Sequence, residues 1–170
     1  APKAGGLGNI YAPMAVNTGG SNWNVYFGGW DGTNDQSDRL SMTTTGDDFK
    51  TFGAHKLIVD TGSFIHVNND CTVRVSATDW RMMSTCYGPP AGNLNKPCYA
   101  TSTDGVNWTP NAGNGAYLIN IAGYAGFASA DINGSNVIYK HTDGVWHLYF
   151  RDFHDPTPEI HHATSTDFVN

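Results

Sequence analysis

Asp70-Cys-Thr-Val-Arg-Val75, Trp80-Arg-Met-Met-Ser84 and Tyr99-Ala-Thr-Ser-Thr-Asp104-Gly-Val-Asn-Trp108 lay out, in that order, a template that the chain writes three times. An earlier copy runs Tyr11-Ala-Pro-Met-Ala-Val16, Trp23-Asn-Val-Tyr-Phe27 and Leu40-Ser-Met-Thr-Thr-Thr45 with Asp47-Asp48-Phe49 behind it. A later copy runs Asn136-Val-Ile-Tyr139, Asp143-Gly-Val-Trp146-His-Leu-Tyr-Phe150 and Ile160-His-His-Ala-Thr-Ser-Thr-Asp167-Phe168. The leading tryptophans stand 57 and 66 residues apart. Repeats of that length are single supersecondary units that bury their apolar faces only against one another.

Each unit reads as an antiparallel strand meander. Its β-branched and aromatic runs are short and bounded by Gly, Asn and Asp, and no stretch sustains an apolar 3.6-residue period. Asp143-Gly144 marks a tight hairpin, because Gly takes positive φ without steric cost. Units of about four strands at this spacing are the blades of a β-propeller. The expectation is therefore an all-β, partial propeller forming one domain over residues 1–170, with blade-like repeats at about 10–57, 58–115 and 116–170. A β-sandwich with chance similarity between its strands is the alternative. Three blades are fewer than a closed ring needs, so the chain is expected to belong to a longer one or to associate with another copy of itself.

Composition narrows the class further. The 20 glycines in 170 residues suit turns and close strand crossings, and a net charge of −6 argues against a nucleic-acid surface, which would need a basic stripe. No stretch reads as a membrane span. Cys86 and Cys98 sit at the two ends of the second unit's loop, where adjacent antiparallel strands would bring them together, so a disulfide is expected there and Cys71 is left as a small buried apolar side chain. Asn107-Trp-Thr109 and Asn133-Gly-Ser135 are glycosylation sequons, a weak sign of secretion.

Tyr11-Ala-Pro13 before an apolar strand, Asn69-Asp70-x-x-Val73 before a Trp-led strand ending Ser84-Thr85, and Ala100-Thr-Ser-Thr-Asp-Gly-Val-Asn-Trp108 together resemble the five-bladed β-propeller glycoside hydrolases, the superfamily of furanosidases, xylosidases and fructosidases. The resemblance covers nearly the whole chain. It implies an extracellular, secreted carbohydrate-active protein, with a lectin-like or structural propeller as the alternative. Ser102-Thr-Asp104-Gly105-Val-Asn-Trp108 also approaches the sialidase Asp-box, a turn-stabilising device.

Glycoside hydrolysis uses two carboxyl groups flanking the scissile bond. In the resembled family the reactive Asp residues start inner strands, and Asp70 holds that position here, which implies a role as base or as the auxiliary Asp that orients the substrate. A side-chain cap on a turn is the structural alternative. Tyr11-Ala-Pro13 has no acid at the matching place, and the third unit offers Asn136 with Asp131 several residues earlier. The family acid is a Glu, yet the sole glutamate, Glu159, reads as a solvated edge residue. The rest of a catalytic set is therefore expected outside this chain.

Around Asp70, the loops expected on one face of the propeller supply candidate sugar contacts. Trp30 would stack on a ring, and Asp31, His66, Arg151, His154 and Asp155 would exchange hydrogen bonds with hydroxyls. No cofactor is expected; Asp31, Asp35 and Asp38 form an oxygen-rich loop that would suit Ca²⁺, although their spacing is not that of an EF-hand and a solvated acidic turn explains them better. His161 and His162 are neighbours on one strand and point to opposite faces, so they cannot chelate one metal.

Overall fold

A computed structural model describes residues 9–30, 38–89, 92–110, 121, 124, 126–157 and 159–168. They form three antiparallel sheets. The first holds β1 (Asn9–Gly19), β2 (Asn22–Trp30), β3 (Arg39–Thr45) and β4 (Lys56–Val59) in meander order, and the second β5 (His66–Arg74), β6 (Trp80–Tyr87), β7 (Asn95–Ser102) and β8 (Trp108–Pro110) likewise. The third is β9 (Asn136–Lys140), β10 (Val145–Phe150) and β11 (His161–Ser165), so three of its strands fall among the described residues where the template anticipates about four. The sheets are partial propeller blades, and the fold is all-β.

The register explains why the repeat is visible in sequence. Trp23, Trp80 and Trp146 each pair with the third strand's last residue, Thr45, Ser102 and Ser165. Past that residue an Asp two positions on accepts from the same hydroxyl, at 2.8, 3.0 and 2.9 Å for Asp47, Asp104 and Asp167. The amides of Asn107 and Val106 hold Asp104 below the usual carboxylate range, and the Thr51 hydroxyl and amide with the Thr45 hydroxyl hold Asp47 down at about 2. The Asp-box-like stretch is thus a turn device. Asp143-Gly144 lies in the hairpin between paired Lys140 and Val145, with Gly144 at φ 70°.

Between the first and second sheets, Tyr26, Leu40, Met42, Val59 and Phe64 meet Val67, Met82, Cys86, Cys98 and Ala100. Between the second and third, Cys71, Met83 and Tyr99 meet Ile132, Val137, Trp146, Leu148 and Phe150. Each sheet therefore packs one face against each neighbouring blade, the arrangement that makes a propeller cohere. The Asp104-Gly105 turn adds a polar tie, because the Gly105 carbonyl accepts from the Tyr26 hydroxyl at 2.7 Å and from Asn24 Nδ2 at 3.2 Å. Trp80 lies fully buried against Gly105, whose φ of +70° and contact with the indole leave no room for a Cβ.

Trp23 departs from its two equivalents. Trp80 and Trp146 are core, whereas Trp23 is half-buried, donates its indole N–H to Asp48 at 3.2 Å and packs on Phe49. Cys86 and Cys98 form a disulfide across β6 and β7, with Cα atoms 5.9 Å apart, and Cys71 is a buried free thiol.

Candidate functional site

Each innermost strand breaks its ladder at one and the same point. In β1 the register jumps from Tyr11↔Gly28 to Met14↔Tyr26, and in β5 from Asn68↔Thr85 to Cys71↔Met83, so two residues oppose one in a β-bulge. In the third blade Ile132 bridges Asp152 and Asn136 pairs with Tyr149, again leaving one residue in excess. The first bulged residue is left-handed in all three, Ala12 at φ 48°, Asn69 at 51° and Gly134 at 69°. Asn and Gly tolerate that region, while for Ala it is uncommon. The residue after it is re-aimed by the bulge, and there the blades present Pro13, Asp70 and Ser135. The counterpart of Asp70 in the third blade is thus Ser135 rather than Asn136 or Asp131, and Asp70 alone of the three is ionisable.

Asp70 is buried, and neither of its carboxylate oxygens has a hydrogen-bond partner among the described residues. Burial pushes its carboxyl up to about 7, and its own amide and the Thr72 hydroxyl, near enough to pull part of the way back, do not complete a hydrogen bond to it. Around it Thr72 Oγ1 and Ser135 Oγ are likewise buried without partners. Asn69 Nδ2 donates to Asn133 Oδ1 at 2.5 Å, which ties the second bulge to the strand approach of the third blade. A buried carboxyl with no donor costs free energy that folding alone does not repay. Such an arrangement is suited to a polar ligand that supplies the missing partners.

The remaining candidates divide into separate groups. His66 and Asp38 come together: the Asp38 amide donates to His66 Nδ1 at 3.3 Å, and its carbonyl accepts the Val67 amide at 3.0 Å. One blade later the same positions hold Asp131 and Asn95, with Ile132 N donating to the Asn95 carbonyl at 2.8 Å and Asn95 donating twice to Asp131 Oδ1, from its amide at 2.8 Å and from Nδ2 at 2.7 Å. His66 therefore sits in a repeated blade-to-blade staple. Beside it Tyr11 has its phenol pushed far above the ordinary value by burial and by the Asp38 carboxylate. Trp30 ends β2 with its indole N–H buried and unpartnered. Asp31 and Asp35 lie outside the described residues, and among those described no group of three or more His, Cys, Asp or Glu is placed to hold a metal.

Arg151, His154 and Asp155 share the loop after β10. The Arg151 guanidinium lies 4.8 Å over the Phe153 ring, His154 Nδ1 sits 2.8 Å from the Ser129 carbonyl, and Asp155 faces His161 Nε2 at 3.4 Å. Asp155 is held below the usual carboxylate range, first by the Thr157 amide and hydroxyl. No hydrogen bond or ion pair joins Asp70 to any of these side chains.

Two residues take organising roles that the sequence does not announce. Asp152 accepts from the Asp131 amide, the His154 amide and the Tyr124 hydroxyl, at 2.8, 2.9 and 3.0 Å. Lys96, buried in β7, donates to the carbonyls of Phe127 and Ala130 and stands over the Phe127 ring. Burial pulls its ammonium below the ordinary lysine range, with Asp152 and Asp131 opposing. The only sequence signal is a lone lysine inside an otherwise uncharged run.

The assembled blades can be set beside known proteins. No protein-family model matches the sequence, and no curated protein is significantly similar to it. Solved structures do match over nearly the whole chain. The endo-1,5-α-L-arabinanase of Thermotoga petrophila aligns over 95% of this chain with a TM-score of 0.62 at 11% identity. The fold is that of the propeller glycoside hydrolases. A catalytic domain of a Coprinopsis cinerea α-L-arabinofuranosidase matches this propeller arc over 94% of its length, TM-score 0.61 and 12% identity. An endo-arabinanase of Bacillus licheniformis matches the arc over 94%, TM-score 0.59 and 13% identity. The arc spans 38%, 46% and 52% of those three chains respectively.

Proposed function

We propose that this propeller arc is part of an extracellular glycoside hydrolase in which Asp70 belongs to the carboxyl set, with the acid that protonates the leaving oxygen supplied from outside the described residues. The observation that carries the reading is the unpartnered, buried Asp70 carboxyl on the bulge of an inner strand, in a fold shared with enzymes whose names refer to arabinan cleavage. Burial keeps this carboxyl protonated up to about pH 7, and a protonated carboxyl cannot act as a base. The auxiliary role, holding a sugar hydroxyl in position by hydrogen bonding, therefore fits it better. Pentose polymers are the first substrate class to examine, and the Cys86–Cys98 bridge agrees with an oxidising compartment.

A binding propeller without hydrolysis is the second reading. It is favoured by one observation: Asp131, Asp152 and Asp155 are all committed to local hydrogen bonds. Incubating the complete gene product with arabinan, xylan and fructan and measuring reducing ends separates the two. Release from one of them supports the hydrolase; retention on the polymer in affinity electrophoresis without release supports the binding protein and removes the catalytic assignment.

A further inference from the structure

Asp70 stands between two residues whose side chains are both fastened to the third blade. Before it, Asn69 Nδ2 donates to Asn133 Oδ1 at 2.5 Å. After it, Cys71 Sγ donates to the Val137 carbonyl at 3.4 Å and accepts from the Val137 amide at 3.5 Å. The Asp70 carboxyl, flanked by these ties, makes none of its own among the described residues.

Asn133 is a firm anchor, because the chain is pinned on both sides of it. Ile132 is fully buried, bridges Asp152 and donates its amide to the Asn95 carbonyl at 2.8 Å. Gly134 donates its amide to Thr85 Oγ1 at 3.2 Å, and Thr85 is the partner of Asn68, the last residue paired before the second blade's bulge. The other two bulges have no such tie. Ala12 brings no polar side chain and is followed by Pro13, while Gly134 is bound through its backbone alone. A left-handed first residue is what lets a bulge of this kind set two residues against one, and Gly meets that demand without steric cost. Asn69 supplies the same angle, φ 51°, and adds a side chain that is held in place. Of the three bulges, the one that carries the ionisable residue is the one with an anchored side chain.

We infer that Asn69 is a positioning residue: its bond to Asn133 fixes the left-handed turn of the bulge, so that contact between the second and third blades sets where the Asp70 carboxyl points. The inference rests on the role proposed for Asp70. Simple fastening of one blade to the next is the competing use of such a bond, and the Asn95–Asp131 pair already serves it.

The two ionisable groups that feel the Asp70 charge are Tyr26 on β2 and Cys71 beside it; burial pushes the phenol and the thiol up, so both stay neutral through the range in which Asp70 titrates. The test is urea unfolding of the complete gene product from pH 4 to 8.5, comparing Asp70→Asn with its parent in the wild-type and in the Asn69→Gly background. Asn69→Gly keeps the left-handed angle and removes the tie. The pH-dependent advantage of Asp70→Asn should fall to about half or less in the Asn69→Gly background, because a carboxyl released from its buried place titrates closer to its unfolded value. Asn133→Ala should act in the same way, and Asn133→Asp, which keeps the acceptor, should preserve the advantage. An advantage with the same pH dependence in every background, beside a loss of stability that does not vary with pH, would overturn the inference, since the bond would then only fasten the blades. No pH-dependent advantage even in the wild-type background would overturn the reading of Asp70 itself, leaving Asn69 nothing to position. On an arabino-oligosaccharide whose cleavage Asp70→Asn impairs, Asn69→Gly should lower kcat by about tenfold or more, while Asn95→Ala, which breaks the other tie, should stay within about twofold of wild type. Wild-type kcat in Asn69→Gly on that substrate would overturn the positioning role.

Discussion

Replacing Asp70 by Asn should make the protein more stable at neutral pH and leave it unchanged in acid. Folding buries a carboxyl whose ordinary value of 3.8 is pushed to about 7 and which finds no donor. Below about pH 4 the folded and unfolded chains both hold the proton, and the residue contributes no pH dependence. Between about 4 and 7 the unfolded chain ionises while the folded chain does not, so the folded state binds more protons and stability falls as pH rises. Above 7 the whole penalty stands, about 4 kcal/mol at ~1.4 kcal/mol for each pH unit between the two values. Asn has the same shape and never ionises. Urea unfolding of wild type and Asp70→Asn from pH 4 to 8.5 should therefore give a stability difference that starts near zero and grows toward about 4 kcal/mol in favour of the variant. All other titrating groups cancel in the subtraction. A difference that stays flat across this range, or that favours the wild type at pH 8, would refute the claim that Asp70 is a buried, unpartnered carboxyl.

Gly105→Ala should destabilise by about 2 kcal/mol or more, because it combines a left-handed backbone with a Cβ pressed into the Trp80 ring; an unchanged chemical denaturation midpoint would show that the turn can yield. Peptide mapping without reduction should recover Cys86 linked to Cys98 and Cys71 as a free thiol, and any linked peptide containing Cys71 would refute this pairing. Lys96→Met should cost about 3 kcal/mol by stranding the carbonyls of Phe127 and Ala130, and amide exchange in residues 126–130 should accelerate; protection equal to wild type would exclude Lys96 as their anchor.

The blade repeat was legible because its signals are side-chain chemistry in fixed order: a tryptophan opening the second strand, and a hydroxyl with an Asp two residues on closing the third. The disulfide was legible for the same reason, since its two cysteines flank one loop. The bulges were not. Their defining feature is a backbone angle, carried by three unlike residues, Ala12, Asn69 and Gly134. Without that angle, the sequence sets Asn136 and Asp131 against Asp70, although the ladder sets Ser135 there. Lys96 and Asp152 were hidden differently, because their partners are mainly main-chain groups, which leave no trace in composition. Trp23 shows that equal template positions need not be equally buried, as its ring packs on Phe49 of its own turn.

The most direct trial of the functional reading is steady-state kinetics of the complete gene product on linear arabino-oligosaccharides, wild type against Asp70→Asn. The account predicts that kcat falls by about a hundredfold in a variant that still folds, the scale of a misplaced substrate rather than of a lost base. A variant with near-wild-type kcat on a substrate the parent cleaves would contradict it.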